Sequence, residues 1–235
     1  VFVNLPKEVN IDGKLWKLKK CLYGLKDASR AWYNKVEAKL KKAGFQKSSH
    51  DAGLFFLIRN GKLVGMVGIH VDDFISAGNE EFTMNIIPKV LSAFQVGKSE
   101  KESFLYTGFR IKKGKDYITL DQAEYISRIE MPILDAKRLL EKESDLTPKE
   151  LTVYRMMVGC TNWVARITRP DLSYDMVSLS TKFKGGKVED LKAAKKVLAN
   201  IVQNEASITL SGVGNLAKAE LWLYTDASFG NLIFK

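Results

Sequence analysis

The segment that most restricts the fold lies at residues 52 to 78 and reads AGLFFLIRNGKLVGMVGIHVDDFISAG. Its first half contains two apolar, β-rich runs joined by Arg-Asn-Gly-Lys at residues 59 to 62, and Asn-Gly is a strong signal for the turn of a β-hairpin. The second run ends at Asp72 and Asp73, and the apolar stretch FISAG follows them. Strand, paired acids and strand together predict a second hairpin whose tip carries two carboxylates.

The paired aspartates have two interpretations. Adjacent carboxylates repel each other unless a cation lies between them. Mg²⁺ takes oxygen ligands and retains water and substrate phosphate, and a two-ion site for phosphoryl transfer needs such a cluster. Aspartate is also common in ordinary turns, because its side chain hydrogen-bonds to nearby backbone. From the dipeptide alone both a metal site and an ordinary Asp-Asp turn stay open, and the ordinary turn is the commoner case.

The net charge of +10 is concentrated near the start of the chain. Residues 1 to 60 hold 13 Lys or Arg against 5 Asp or Glu, a net charge of +8. A local basic region suits a face that binds a polyanion, because each neutralised phosphate releases condensed counterions. A lysine-rich helix face exposed to water has the same composition, so both interpretations stay open.

Size and cysteine content set broad limits. The chain has 235 residues, 46% of them hydrophobic, which suffices for one large domain or two small ones. No apolar run approaches the roughly 18 residues of a membrane span, so no membrane partner is expected. Cys21 and Cys160 lack the spacing of metal ligands and favour a reducing, intracellular setting.

A helix is expected to begin near residue 28, with Asp27 or Ser29 capping its start. Its predicted buried stripe recurs at helical spacing and consists of Ala28, Trp32, Val36, Leu40 and Ala43.

The second half of the chain has helical signals. Thr147 and Glu150 have the spacing of a capping box, and apolar residues at helical spacing follow. Trp163 is expected to fill a core rather than stack on a base. Arg169 could contact a nucleic-acid backbone, but pairing with Asp171 is the plainer interpretation.

Six segments, taken in order, resemble motifs of the reverse transcriptase of copia-type retrotransposons. They are KLKKCLYGLKDASRAWY (17–33), GFQKSSHDAGLFF (44–56), IHVDDFISAG (69–78), LYTGFRIKKGKDYITLDQAEYI (105–126), YRMMVGCTNWVARITRPDLSYDM (154–176) and LWLYTDASFG (221–230). The last resembles the first strand of the ribonuclease H domain that follows the polymerase in that family. Together the motifs cover almost the whole chain.

The resemblance implies an α+β, hand-like polymerase fold, in which an antiparallel palm sheet with helices carries the acidic hairpin. It implies partial fingers and palm at residues 1–120, a mainly helical thumb or connection at 121–212, and the first strand of a truncated ribonuclease H domain at 213–235. The fold is expected to be incomplete at both ends.

The resemblance also implies a chemistry and its residues. Asp72 and Asp73 match the family's catalytic aspartates and would bind two Mg²⁺ ions when joined by a third, upstream aspartate. Asp226 matches the first catalytic aspartate of ribonuclease H. The positions implied in binding nucleic acid or the incoming nucleotide are Lys19, Lys20, Tyr23, Gly24, Lys26, Asp27, Arg30, His70, Tyr106 and Gly108.

Three positions depart from the family pattern. His70 stands where the family usually has tyrosine, Asp27 replaces glutamine, and Ser29 replaces proline. In the family, the strand with the third aspartate precedes a segment resembling VFVNLPKEV, and here that segment begins at Val1. The chain is therefore expected to be an internal fragment or an eroded copy, inactive by itself because clustered metal ligands act as a unit.

Two functions remain. The first is RNA-directed DNA polymerisation, with an RNA template, a DNA primer and dNTPs as partners. The second is a catalytically inactive retrotransposon-derived relic that binds nucleic acid through its basic first quarter. Self-association and a polyprotein context are both open, and the expected location is an intracellular one, in a cytoplasmic particle or the nucleus.

Overall fold

A computed structural model describes residues 2–4, 8, 15–22, 24–94, 96–212 and 214. These residues form helices and antiparallel sheets, which confirms the α+β class. The chain divides into two compact units, residues 1–100 and residues 101–235.

The first unit combines two antiparallel sheets with short and long helices. Its elements are β1 (Phe2–Asn4), β2 (Leu15–Lys17), α1 (Ala28–Lys42), β3 (Gln46–Lys47), β4 (Leu54–Arg59), β5 (Lys62–His70), β6 (Asp73–Gly78), a π-helical segment (Phe82–Ile86) and α2 (Ile87–Leu91). Strands β1 and β2 pair with each other, and the larger sheet has the order β3-β4-β5-β6.

The predicted Asn-Gly hairpin is confirmed. Strands β4 and β5 pair antiparallel up to Arg59 opposite Lys62, which leaves Asn60 and Gly61 as a two-residue turn. Both turn residues have positive φ, 51° and 71°, as a type I′ turn requires. Asparagine and glycine tolerate this conformation better than other residues, so the turn follows directly from the local sequence.

Helix α1 packs against the core of the first unit through the apolar stripe that its sequence predicts. Val36 and Leu40 are fully buried, and Trp32 and Ala43 pack partly buried against the same cluster. The chain leaves the helix through Gly44 at φ +92°, a conformation that favours glycine and commonly ends helices. The other buried members of this core are Phe45, Phe55, Leu57, Val64, Val67, Phe82, Ile87 and Val90.

Phe82 packs on β5 and β6 at the open end of their hairpin, away from the tip. Gly65 and Gly78 are cross-strand partners, and the Phe82 ring lies over both of them. A Cβ atom added to either glycine would lie 2.4 Å from a ring carbon, so both positions require glycine.

The second unit contains a four-stranded sheet and a group of helices. Its elements are β7 (Ser103–Tyr106), β8 (Phe109–Lys113), β9 (Tyr117–Asp121), α3 (Ala123–Ile126), a 3₁₀ turn (Arg138–Leu140), α4 (Pro148–Ala165), a second 3₁₀ turn (Pro170–Leu172), α5 (Ser173–Ser180), α6 (Val188–Gln203) and β10 (Ser207–Ser211). The sheet order is β10-β9-β8-β7, all antiparallel.

The predicted capping box starts α4. Thr147 accepts a hydrogen bond from the Glu150 amide, and the Glu150 carboxylate accepts one from the Thr147 amide at 2.8 Å. Arg138 also donates to Glu150, and this hydrogen bond is the main cause that lowers the pKa of Glu150 to about 2. The helices bury two apolar clusters around Tyr154, Met157 and Leu198, and around Ile126, Val164 and Ile201.

The domain borders predicted at residues 120 and 212 stay predictions. The border between the two compact units falls in the sequence between Glu100 and Lys101, and β7, β8 and β9 share a sheet with β10. The predicted ribonuclease H strand and Asp226 lie outside the described residues. Within the described part of the chain, no helix is long and apolar enough to cross a membrane.

Candidate active site at a hairpin tip

The predicted acidic hairpin is confirmed, and Asp72 lies at its tip. Strands β5 and β6 pair antiparallel up to His70 opposite Asp73, so Val71 and Asp72 form a two-residue turn. Asp72 and Asp73 are both exposed. Among the residues that the structure describes, neither aspartate takes part in an ion pair.

Val71 adopts an unusual backbone conformation. Its φ is +54°, while Asp72 is not among the residues with positive φ, and this sign pattern is that of a type II′ turn. The first position of such a turn favours glycine, and a β-branched residue with positive φ is an outlier. Strain of this kind costs about 1–3 kcal/mol and occurs preferentially at functional sites.

A tryptophan of α1 holds the strained turn. The indole Nε1 of Trp32 donates a 2.7 Å hydrogen bond to the carbonyl oxygen of Val71, 39 residues along the chain. The Trp32 ring meets Phe94 edge-on with ring centroids 5.7 Å apart, and Phe94 contacts Phe74 at the same centroid distance. Phe74 follows Asp73 directly, so aromatic packing reaches β6 beside the acidic pair.

The loop before β4 supports β5 close to the tip. The Ile69 amide donates to the Gly53 carbonyl at 2.8 Å, and the Gly53 amide donates to the Asp51 carboxylate at 2.7 Å. A Cβ atom on Gly53 would lie 2.8 Å from the Ile69 carbonyl oxygen, so this close approach requires glycine. Asp51 therefore has a structural partner in its own loop.

Four of the predicted nucleic-acid residues line one cavity of about 390 Å³. They are Lys19, Lys20, Lys26 and Asp27. Gly24, between them in sequence, has φ +88° and is exposed, as is Arg30 on the first turn of α1. Tyr23 lies outside the described residues. Three lysines around one cavity form a positively charged surface of the kind that attracts phosphate.

The expectation that Asp27 or Ser29 caps α1 through its side chain is wrong. Asp27 occupies the capping position, but its side chain makes no capping hydrogen bond. Its backbone is right-handed helical, at φ −92° and ψ −6°, whereas a side-chain cap needs an extended residue at this position. Ser29 lies inside the helix, which begins at Ala28.

A second cavity, of about 520 Å³, lies beside Trp32, the residue that is hydrogen-bonded to the hairpin tip. Its lining consists of Lys20, Trp32, Lys35, Ser92, Ala93 and Phe94. The ammonium of Lys35 lies 5.9 Å from the centre of the Trp32 ring, within cation–π range. Lys20 lines both cavities, which places the basic surface and Trp32 in one neighbourhood.

Tyr106 and Gly108 belong to the second unit, at the turn between β7 and β8. Tyr106 pairs with Phe109 across the turn, and Thr107 and Gly108 have φ of 47° and 90°. A Cβ atom on Gly108 would lie 3.1 Å from the Trp163 ring. The expectation that Trp163 fills a core is wrong: its side chain covers this turn and keeps an exposed fraction of 36%.

Arg169 pairs with Asp171, as expected. Its guanidinium donates to the Asp171 carboxylate at 2.8 Å and to the Asn200 side chain at 2.9 Å. The same hydrogen bond from Arg169 lowers the pKa of Asp171. Arg169 therefore joins the end of α4 to α6 rather than presenting a free cation.

The donor set at the tip fits a hard cation only in part. Carboxylate oxygens are suitable ligands for Mg²⁺, and Asp72 and Asp73 are exposed and adjacent. Within the described part of the chain, no group of three or more His, Cys, Asp or Glu side chains could hold a metal ion. The tip therefore offers two aspartates of the expected cluster.

The family profile of reverse transcriptase, the RNA-dependent DNA polymerase, matches residues 1–148 of this chain. The match covers the basic segment, the hairpin with Asp72 and Asp73, and the β7–β8 turn. The chain belongs to the reverse transcriptase family, and its relatives are of the copia type.

Its relatives are proteins of transposons. The chain is 34% identical over 196 residues to the retrovirus-related Pol polyprotein from transposon RE1 and 30% identical over 194 residues to that from transposon RE2, both of Arabidopsis thaliana. Each alignment covers 77% of this chain and 13% of the polyprotein. A putative transposon Ty5-1 protein of Saccharomyces cerevisiae is 26% identical over 233 residues, covering 92% of this chain and 73% of that protein. No solved structure matches the chain significantly.

Proposed function

We propose that this chain carries part of the active site of an RNA-directed DNA polymerase, with an RNA template, a DNA primer and dNTPs as its partners. The observation that carries the proposal is the pair Asp72 and Asp73, exposed at a tight turn in a chain of the reverse transcriptase family. A strained turn at that point agrees with a functional constraint on the backbone.

Asp72 and Asp73 are the side chains that would hold Mg²⁺. When bound, two such ions lower the barrier to attack by the primer hydroxyl and neutralise the charge that develops on the leaving pyrophosphate. The protein's part is to hold both carboxylates, negatively charged, at a fixed place beside the substrate. A third carboxylate of the cluster has to come from outside the described residues.

The lysine-lined cavity is the proposed contact for phosphate. Lys19, Lys20 and Lys26 line it together and precede α1, which also tethers the acidic tip. Positive charge there would attract template backbone or the triphosphate of a dNTP and leave the acidic tip for the metal ions. Asp27 lines the same cavity and would weaken the attraction for phosphate, so its replacement by the family's glutamine should strengthen binding.

The proposal is tested by primer extension on an RNA template with Mg²⁺, on the complete polyprotein that contains this chain. Asp72→Asn should lower the rate on the order of 10³-fold or more, because it removes a charged metal ligand and keeps the side-chain shape. Asp116→Asn, an exposed aspartate in the turn before β9, is the matched control and should leave the rate unchanged. Equal rates for wild type and Asp72→Asn would refute the proposal.

Nucleic-acid binding without polymerisation is a second candidate, and the clustered lysines favour it independently of the aspartates. It predicts that RNA affinity falls linearly on a log–log plot against salt, by roughly 0.7–0.9 per phosphate contact. Replacing Lys19 and Lys20 with alanine should reduce that slope by about 1.4–1.8. Binding that is insensitive to salt, or a slope unchanged by the double substitution, would contradict it.

A further inference from the structure

The support of the acidic tip comes from α1. The bond from Trp32 Nε1 to the Val71 carbonyl is 2.7 Å long and joins residues far apart in sequence. The Val71 carbonyl and the Asp72 amide belong to one planar peptide unit. Fixing the carbonyl therefore fixes the plane from which the Asp72 Cα–Cβ bond projects.

The same tryptophan also reaches the other flank of the acidic pair. Its ring meets Phe94 edge-on at an interplanar angle of 68°, and Phe94 packs on Phe74 at 40°. Phe74 is the residue after Asp73, on β6. The carbonyl before Asp72 and the side chain after Asp73 are thus both connected to Trp32.

We propose that Trp32 is a positioning residue for the paired carboxylates, acting through the Val71 carbonyl. This inference rests on the proposed polymerase function. Trp32 holds the turn in a conformation that valine does not adopt by preference, and the tip keeps one orientation before any ligand binds. Displacement of a catalytic group by about 1 Å can lower a rate roughly 10²-fold, which sets the scale of the expected effect.

The informative substitution is Trp32→Phe, because it removes the indole N–H and keeps an aromatic ring beside Phe94. Tyr33→Phe is a matched control from the next position of the same helix. Its hydroxyl donates a bond of the same length, 2.7 Å, to the Ala52 carbonyl in the loop before β4. Each substitution deletes one hydrogen bond from α1 to a distant backbone carbonyl, but only the first bond ends on a residue of the tip, and the second ends on the loop that supports β5.

The first readout is independent of catalysis. Amide hydrogen exchange at residues 71 to 74 should accelerate by up to about tenfold in Trp32→Phe, the effect of losing one hydrogen bond that closes the tip. Tyr33→Phe should leave exchange at the tip unchanged. Unchanged exchange at the tip in Trp32→Phe would overturn the inference.

The second readout separates positioning from binding. In primer extension by the complete polyprotein, Trp32→Phe should lower kcat by about 10- to 100-fold and leave KM for the dNTP within about twofold, because the effect is on carboxylate geometry. Tyr33→Phe should leave kcat unchanged. An altered KM with unaltered kcat would instead make Trp32 a substrate contact and contradict the inference.

The two proposals fail in distinguishable ways. If Asp72→Asn abolishes extension and Trp32→Phe changes neither kcat nor exchange, the polymerase assignment stands and the positioning role is wrong. If Asp72→Asn has no effect on extension, the polymerase assignment is wrong whatever Trp32→Phe does, and the positioning of catalytic groups fails with it.

Discussion

Strand β5 has a two-residue turn at each end, and the two turns are stabilised in opposite ways. The Asn60-Gly61 turn uses the two residues best suited to positive φ, and both adopt it. The Val71-Asp72 turn puts a β-branched residue where glycine is favoured, and a hydrogen bond from Trp32 on helix α1 stabilises it. The first turn is specified by its own sequence, and the second is imposed by tertiary contacts.

The energetic difference between the turns agrees with different roles. A strained valine costs about 1–3 kcal/mol. The hydrogen bond from Trp32 contributes about 0.5–1.5 kcal/mol, and each aromatic contact in the Trp32–Phe94–Phe74 cluster adds a similar amount. Together these contacts are large enough to offset the strain, whereas an Asn-Gly turn has no such strain to offset, so the local preference of the turn residues does not explain the choice of valine and aspartate.

Replacing the residues of the acidic turn by those of the Asn-Gly turn is expected to have the largest effect on activity. Replacing Val71 with asparagine and Asp72 with glycine makes the tip a second Asn-Gly turn. The free energy of unfolding should rise by about 1 kcal/mol because strain is relieved, while primer extension falls on the order of 10³-fold because a carboxylate is lost. Urea denaturation and the extension assay measure the two effects. A variant that is more stable and still fully active would show that the turn has no catalytic role.

Gly65→Ala tests the open end of the β5–β6 hairpin, where Phe82 lies over the paired glycines. The new methyl group would lie 2.4 Å from the ring, so Phe82 must move and the free energy of unfolding should fall by about 2–3 kcal/mol. Thermal denaturation measures the loss. The control is Gly97→Ala, where an added Cβ meets no atom within 4 Å and stability should stay nearly constant. Equal stability of both variants would mean that the ring does not lie over Gly65.

Gly61→Ala tests whether the Asn60-Gly61 turn contributes to stability without contributing to activity. At φ +71° an alanine is strained, and the free energy of unfolding should fall by about 1 kcal/mol. Extension activity should be unchanged once the protein is folded, because this turn lies at the other end of β5 from the aspartates. Loss of activity beyond the loss of folded protein would mean that the two turns are not functionally separate.

Val71→Gly has the smallest expected effect on stability. Glycine relieves the strain but loses more conformational entropy on folding, at about 0.5–1 kcal/mol, so the gain in unfolding free energy should be at most about 1 kcal/mol. Denaturant midpoints of wild type and variant measure it. A clear loss of stability would show that the valine side chain contributes packing that outweighs its backbone strain.

Local sequence was enough to predict the regular parts of this fold. Both hairpins of the β4–β5–β6 sheet, the buried stripe of α1, the capping box at Thr147 and the Arg169–Asp171 pair depend on residues close in sequence. Residue spacing and turn chemistry specify such features directly.

Long-range contacts were not predictable in the same way. Trp32 recurs at helical spacing with buried residues, so its pattern indicated packing and gave no sign of a hydrogen bond 39 residues away. Asp27 has the right residue type for a helix cap, but its backbone conformation excludes the capping bond. Trp163 was assigned to a core because of its size, whereas its place over the Gly108 turn depends on how α4 packs against that hairpin. The sequence signal of strain is a valine directly before the aspartates, because a β-branched residue rarely adopts the positive φ of a tight turn.

We propose that the paired aspartates, and not the turn at the opposite end of strand β5, form a cation site. Titration with Mn²⁺ as a paramagnetic substitute for Mg²⁺, followed by amide NMR, tests it directly. Strand β5 has nine residues, so its two turns lie roughly 27 Å apart. We expect that signals of residues 70 to 74 broaden first, that Asn60 and Gly61 stay sharp, and that Asp72→Asn removes the effect. Broadening that is equal at both turns, or that persists in Asp72→Asn, would contradict it.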